Sequence, residues 1–226
     1  MIREPARAVP VLAEHDIVVL GGGPAGIAAA AAAARQGADV LLVERYGFLG
    51  GMGTAAGVTN FCGLHANVHG DIRQVVHGVA DGLLERIARL GGLNTPHALF
   101  GKTVAQAYDT AAYKIAADDL LLAAGVEVLF HALAAGVVMD GARRVQALLV
   151  ETKSGRFAVP ARAFVDASGD GDLAAWAGAP YALGDGHGNM LYPSTMFRIN
   201  GVDAQRAGKA WEVIPKLMLA AEAEGR

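Results

Sequence analysis

Residues 16–45, "DIVVLGGGPAGIAAAAAAARQGADVLLVER", decide the fold. The run Ile17–Leu20 has the length and β-branching of a buried strand. Gly21, Gly23 and Gly26 follow in the spacing G-x-G-x-x-G, with Pro24 and Ala25 inside it. An alanine-rich stretch then reads as a helix to about Gln36, with Gly37 as its stop. A second apolar run, Val40–Val43, ends in Glu44. The order is strand, tight turn, helix, strand, acid.

Each part has a physical reason. Gly21 permits the turn, Gly23 lets backbone approach a pyrophosphate, and Gly26 lets the helix sit close to the strand. The helix N-terminus offers unpaired N–H groups and partial positive charge to phosphates. Glu44 comes about twenty residues after the turn, where a carboxylate accepts from ribose hydroxyls. The pattern predicts a dinucleotide site. The acid favours a free 2′-hydroxyl, but it does not separate FAD from NAD.

Bulk properties exclude several classes. A net charge of −3 supplies no basic face for nucleic acid. Cys62 is the only cysteine, so an internal disulfide and a dithiol relay are both ruled out. The seven histidines show no metal-ligand spacing, and no metal is expected. The alanine run is far shorter than the ~20 residues of a membrane span, and no signal-peptide pattern precedes the first strand. The expectation is a cytoplasmic protein away from membranes.

Beyond Glu44, the stretch "RYGFLGGMGTAAGVTNFCGLHANVHG" reads as loop and short helix. Residues 71–92 carry apolar side chains at helical spacing from Ile72 through Val75, Val76, Val79, Leu83 and Ile87 to Leu90. Residues 94–104 read as a connector and 105–125 as a second helix. The period then changes. A short strand at 126–130 precedes a three-stranded meander: Leu133–Met139, Val145–Glu151 and Arg156–Val159, with turns at Asp140-Gly141 and Ser154-Gly155. Pro160 is expected to break the last of these before Ala163–Val165 returns to the main sheet as a buried strand.

A β-meander used as a crossover is associated with the flavin-binding version of this architecture. The stretch "VDASGDGD", Val165 to Asp172, is a second glycine loop at a strand end. Two such loops suit an extended ligand held from both sides, and FAD fits that better than NAD.

On "VVLGGGPAGIAAA", "LLVERYGFLGGMGT", "AAGVEVLFHALAAGVV" and "VDASGDGDLA", the chain resembles the FAD-dependent oxidoreductases of the glutathione-reductase-type flavin fold, in the branch near geranylgeranyl reductases and aromatic hydroxylases. The resemblance implies an α/β architecture: a parallel Rossmann-like FAD-binding sheet with helices and a three-stranded β-meander crossover, plus the beginning of a substrate domain. It implies that Gly21, Gly23, Pro24, Ala25 and Gly26 line the pyrophosphate. Glu44 would bind ribose, and Arg45 would lie beside the adenine, unless it is an ordinary solvated charge. Gly51 and Met52 would run along the pyrophosphate towards the flavin. Leu133 would offer its backbone to the adenine while also joining the core. Ala167, Ser168 and Gly169 would close over the adenosine end. Asp170 and Asp172 are alternatively caps of the helix that follows.

The family's later glycine-aspartate motif is not found. "GDG" at 184–186 has no buried strand before it and reads as a loop. The expected organisation is an FAD-binding domain over residues 14–182, with a helical insertion at about 61–124. An incomplete substrate or cap domain follows over 183–226, opening with a strand at "STMFRING" and a helix after it. Trp211, Val213, Ile214, Leu217 and Leu219 would then need a surface to pack on. A C-terminal half or partner subunit would supply that surface, and homo-oligomerisation stays open. Catalytic candidates are Cys62, as a nucleophile, and His65, as a proton acceptor. The expected activity is hydride transfer between a small organic substrate and FAD. The alternatives are a flavin hydroxylase using NAD(P)H and oxygen, a non-catalytic FAD-binding subunit, and an NAD-linked dehydrogenase.

Overall fold

The computed structural model describes residues 2, 6–98, 103–141, 143–208 and 210–225, without the side chains of Ala204 and Trp211. The requirement for a packing partner at Trp211 therefore lies outside the described residues. The chain divides into two compact units, residues 1–193 and 194–226.

The first unit opens with β1 (His15–Leu20), α1 (Pro24–Arg35) and β2 (Val40–Val43). A 3₁₀ turn at Gly51–Gly53 leads to β3 (Asn60–Val68), β4 (Asp71–Gln74), α2 (Val79–Arg89), β5 (His97–Ala98), β6 (Thr103–Ala107) and α3 (Thr110–Ala123). Next come β7 (Glu127–Leu129), β8 (Leu133–Met139), β9 (Val145–Thr152), β10 (Gly155–Asp166) and α4 (Asp172–Trp176). The main sheet has the order β7-β2-β1-β10-β9-β8. Its β7, β2 and β1 are parallel, while β8, β9 and the first half of β10 form an antiparallel meander.

The two-residue period of the strands builds two cores. Val19 of β1 and Val40 and Leu42 of β2 face α1 and α3, where they meet Ile27, Ala30, Ala31, Ala116 and Leu120. Val18, Leu20, Leu41 and Val43 point the other way, against Leu148, Val150 and Val159 of the meander and Leu173 of α4. Small residues on α1 let the helix lie close to the strands, which fixes the turn that joins them.

Pro160 does not break β10. The strand runs unbroken for 12 residues, pairing Gly155–Pro160 with β9 and Ala161–Asp166 with β1. The Ala158 N–H donates to Pro10 on one edge. Two residues on, the proline nitrogen faces that same edge, just before the pairing with β1 begins at Ala161. A missing donor costs little there. Ala163 is exposed and Val165 half-buried, so this return strand is less covered than expected.

The span expected to be a helical insertion holds a four-stranded antiparallel sheet, β4-β3-β6-β5, as well as α2 and α3. Asn60–Val68 is a strand rather than a loop, and part of the connector forms β5. The helix expected from Ile72 starts only at Val79. Asp81 accepts the Gly78 N–H at 2.8 Å and sets that start, while Ile72 lies in β4 and Val75 and Val76 are exposed. The second helix likewise starts at Thr110. Asp109 caps it by accepting the Ala112 N–H, and Thr103–Ala107 is strand.

Residues 184–186 form a loop, and 194–200 form no strand. A strand needs a hydrogen-bonded neighbour, and none of the described residues supplies one there. The second unit contains α5 (Ala204–Ala207) and α6 (Ala210–Ala223), with Pro215 inside α6. Among the described residues, no helix is long and apolar enough to cross a membrane.

Candidate functional site

The ends of β1, β2 and β10 converge on two glycine loops. The Gly21 N–H donates to Val43 at 2.8 Å, and Gly21 sits at φ +99°, where other residues are strained. A Cβ on Gly21 would collide with the Ala167 carbonyl, so the first and second glycine loops touch. A Cβ on Gly26 would collide with the Gly21 carbonyl, so α1 closes directly on the turn.

Gly23 differs. Its φ is −73°, which any residue adopts, and the nearest non-neighbouring atom to a Cβ there is the Gly51 Cα at 3.8 Å. The space beside it is a cradle that a side chain would fill. No side chain caps α1, Pro24 stands in its first turn, and that turn carries no acid. The N–H groups of Ala25 and Gly26 and the positive end of the helix are thus available to an anion. A pyrophosphate fits this surface in both shape and charge.

Glu44 is 5% exposed, and both its oxygens are engaged. Oε2 accepts the Gly22 N–H at 2.7 Å and Oε1 accepts the Tyr46 N–H at 2.8 Å. Each oxygen keeps a second lone pair for a ribose hydroxyl, and Glu44 lines the cleft at the strand ends. Its first role is nevertheless to tie the glycine turn to the loop after β2.

Gly21, Glu44, Arg45, Leu133, Ser168 and Asp172 line that one cleft. The structure therefore brings together expected adenosine-end residues from β2, β8 and the β10–α4 loop. The Arg45 guanidinium lies over the Tyr46 ring, 4.8 Å from its centroid. Leu133 is 54% exposed, so it is not a core residue as expected: it opens β8 at the cleft mouth. Ala167 touches the first glycine turn but does not line the cleft, and neither does Gly169, which turns the chain at φ +94°.

Asp170 and Asp172 do not cap α4. Its N-cap is Gly171, without a side-chain cap bond. Ser168 Oγ accepts the N–H groups of Gly171 and Asp172, each at 3.0 Å. Asp166 accepts from Ser168 at 3.1 Å and Ala174 at 2.8 Å. Burial pushes the Asp166 carboxyl up, but the hydrogen bonds from Ala174 and Ser168 together hold it below the usual range. Asp166 was missed in the sequence. Its position at a strand end, two residues before a serine in a glycine loop, was the available signal.

The 3₁₀ turn rests on the first glycine turn. The Gly50 N–H donates to Gly22 at 2.8 Å, Gly51 lies against Gly23, and Met52 is exposed. Tyr108 then ties down the next segment, its hydroxyl lying 3.0 Å from the Gly53 carbonyl and 2.6 Å from that of Val58. Burial, and secondarily Cys62, push its pKa up to about 12. Tyr108 was also missed, because its partners lie some fifty residues away in sequence.

Cys62 and His65 share β3. Cys62 is exposed and pairs with Ala105, while His65 is half-buried and pairs with Gln74. A bulge between Cys62 and Ala66 interrupts the regular alternation of faces. No hydrogen bond links the two candidates among the described contacts.

The sequence model of the family described as "FAD dependent oxidoreductase" matches residues 16–224. No curated protein matched the sequence. Among solved structures, a geranylgeranyl bacteriochlorophyll reductase-like protein from Thermoplasma acidophilum aligns at 20% identity and a TM-score of 0.52, covering 73% of this chain and 42% of the other. A flavoprotein/dehydrogenase from Cytophaga hutchinsonii aligns at 18% identity and a TM-score of 0.50, covering 70% of this chain and 40% of the other. Such identities speak to fold alone. The chain spans about two fifths of the length of either structure.

Proposed function

The chain belongs to the FAD dependent oxidoreductase family, and on that premise we propose that it moves a hydride between a small organic substrate and its FAD. Bound FAD supplies the capacity to accept and return a hydride. The residues of the chain bind, orient and shield. The observation that carries the reading is the open cradle at Gly23, set between an uncapped helix N-terminus and Gly51.

In this reading Gly21, Gly23, Pro24, Ala25 and Gly26 hold the pyrophosphate from one side, with Gly51 and Met52 on the other. Glu44, Arg45, Leu133 and Ser168 hold the adenosine, Ala167 and Gly169 serving only to shape the loop that presents Ser168. His65 accepts a substrate proton at an imidazole nitrogen. Cys62 presents an exposed thiol three residues away. Residues 14–182 bind the cofactor, and 183–226 begin a substrate domain. A further polypeptide surface, on a C-terminal half or a partner subunit, covers the exposed Val213, Ile214, Leu217 and Leu219.

The test is anaerobic mixing of FAD-loaded protein with candidate organic substrates, reading the visible flavin absorbance. Bleaching without any nicotinamide supports the proposal. Bleaching by NADPH alone gives the hydroxylase reading instead. Silence towards both leaves a non-catalytic FAD-binding subunit.

A further inference from the structure

The loop between β2 and the 3₁₀ turn begins at the adenosine cleft with Arg45 and ends at the cradle, where the Gly50 N–H meets the Gly22 carbonyl and Gly51 meets Gly23. Whatever fixes this loop therefore fixes both parts of the site. Within it Tyr46 and Phe48 stack, their ring centroids 5.6 Å apart and their planes within 9° of parallel. Each ring also carries a cation. Arg45 lies over Tyr46, and Lys114 of α3 lies over Phe48 with its Nζ 3.4 Å from the ring centroid. At Gly47, between the rings, a Cβ would strike the His131 ring, so the segment after β7 closes against the loop as well.

Lys114 has another partner within reach. Asp118 follows it one turn along α3, at the spacing where a lysine and an acid pair on a helix surface. The Asp118 Oδ1 is buried with no hydrogen-bond partner among the described residues, and burial pushes its carboxyl up. The ammonium lies on the aromatic ring instead. On a partly desolvated ring it is held at least as firmly as in a surface ion pair. We propose that Lys114 is a positioning residue for the cofactor: through Phe48 it ties residues 45–50 to α3, and so sets the Gly51 side of the pyrophosphate cradle. It acts through the ring and not on the FAD itself. The proposal rests on the FAD reading above, and hydrogen exchange in the flavin-free protein tests the hold on the loop independently of it.

The variants are Lys114→Met, which keeps the apolar stem and removes the charge, Lys114→Arg, which restores the charge, and Phe48→Leu, alone and combined with Lys114→Met. Two quantities are read: FAD affinity, by flavin fluorescence on dilution, and hydrogen exchange at the Tyr46 and Gly50 amides of the flavin-free protein. Lys114→Met is expected to weaken FAD binding by roughly fivefold and to quicken exchange at both amides, with Tm and exchange in β1 and β2 close to the parent's. Lys114→Arg is expected to keep both readings near the parent's. The double variant is expected to bind FAD no more weakly than Phe48→Leu alone. Unchanged affinity or unchanged exchange in Lys114→Met overturns the proposal. So do additive losses in the double variant, because they describe a lysine acting directly on the cofactor's phosphates. If the parent takes no FAD, the cofactor reading fails by itself. Exchange at Gly50 then decides whether Lys114 holds the loop: quickening in Lys114→Met supports the hold, and no change overturns it.

Discussion

The Glu44 carboxylate accepts the Gly22 N–H at 2.7 Å, joining the acid at the end of β2 to the middle of the glycine turn after β1. Its other oxygen holds Tyr46, so one side chain sets both the first glycine turn and the loop that carries Arg45. Glu44→Gln replaces one acceptor by a donor facing an N–H. A buried donor left without a partner costs about 1–3 kcal/mol. The expected outcome is FAD binding weaker by roughly tenfold or more, read by flavin fluorescence on dilution. Unchanged affinity would show that the carboxylate neither positions the turn nor meets the ribose.

Gly26 has no room for a methyl group, because the Gly21 carbonyl occupies the place. Overpacking costs about 1–3 kcal/mol where side chains can yield, and occasionally more. Here the neighbour is backbone. Gly26→Ala is expected to destabilise by about 3 kcal/mol or more, a fall in Tm of at least roughly 6 °C. Calorimetry on the purified variant checks it.

Asp166 makes the second glycine loop sensitive to acid. Its folded carboxyl lies below the ordinary value, so its contribution to stability is fully present above the unfolded pKa of about 3.9. That contribution is lost as pH falls through the folded value. FAD release on acidification is therefore expected to begin near pH 4 and below. Asp166→Asn is expected to release FAD more readily at neutral pH and to show a flatter acid limb. A pH titration of flavin retention in both proteins decides the point.

Tyr108 anchors the segment between the 3₁₀ turn and β3 through the carbonyls of Gly53 and Val58. With its pKa raised to about 12 by burial and Cys62, the hydroxyl stays a donor well past pH 10. Tyr108→Phe removes a hydrogen bond worth about 0.5–1.5 kcal/mol net. Hydrogen exchange at residues 54–58 is expected to quicken, with little change in the main sheet.

Much of this arrangement was legible because it is local. Gly21 to Glu44 forms one βαβ unit, in which Gly26 closes on Gly21 and Gly21 on the loop at Ala167. The meander was legible from its alternation and its Asp140 and Gly155 turns. The second sheet was not. Ile72, Val75 and Val76 fit a helical period by chance of spacing, and only the Gly78–Asp81 bond shows where α2 starts. β3 and β6 are specified by pairing with each other across some forty residues, which no local pattern encodes. Pro160 misled because a proline stops a strand only where its nitrogen faces a partner. At the site, Leu133 was expected in the core because its composition is apolar, yet it lies at the end of an edge strand where the cleft opens.

The most direct test of the account is Gly23→Val. The backbone there is ordinary and a Cβ meets nothing closer than the Gly51 Cα at 3.8 Å, so the fold should persist, with circular dichroism and Tm close to those of the parent. The side chain would fill the cradle assigned to the pyrophosphate. The predicted result is a folded, colourless protein that does not take up FAD; a folded variant carrying stoichiometric flavin would contradict the account.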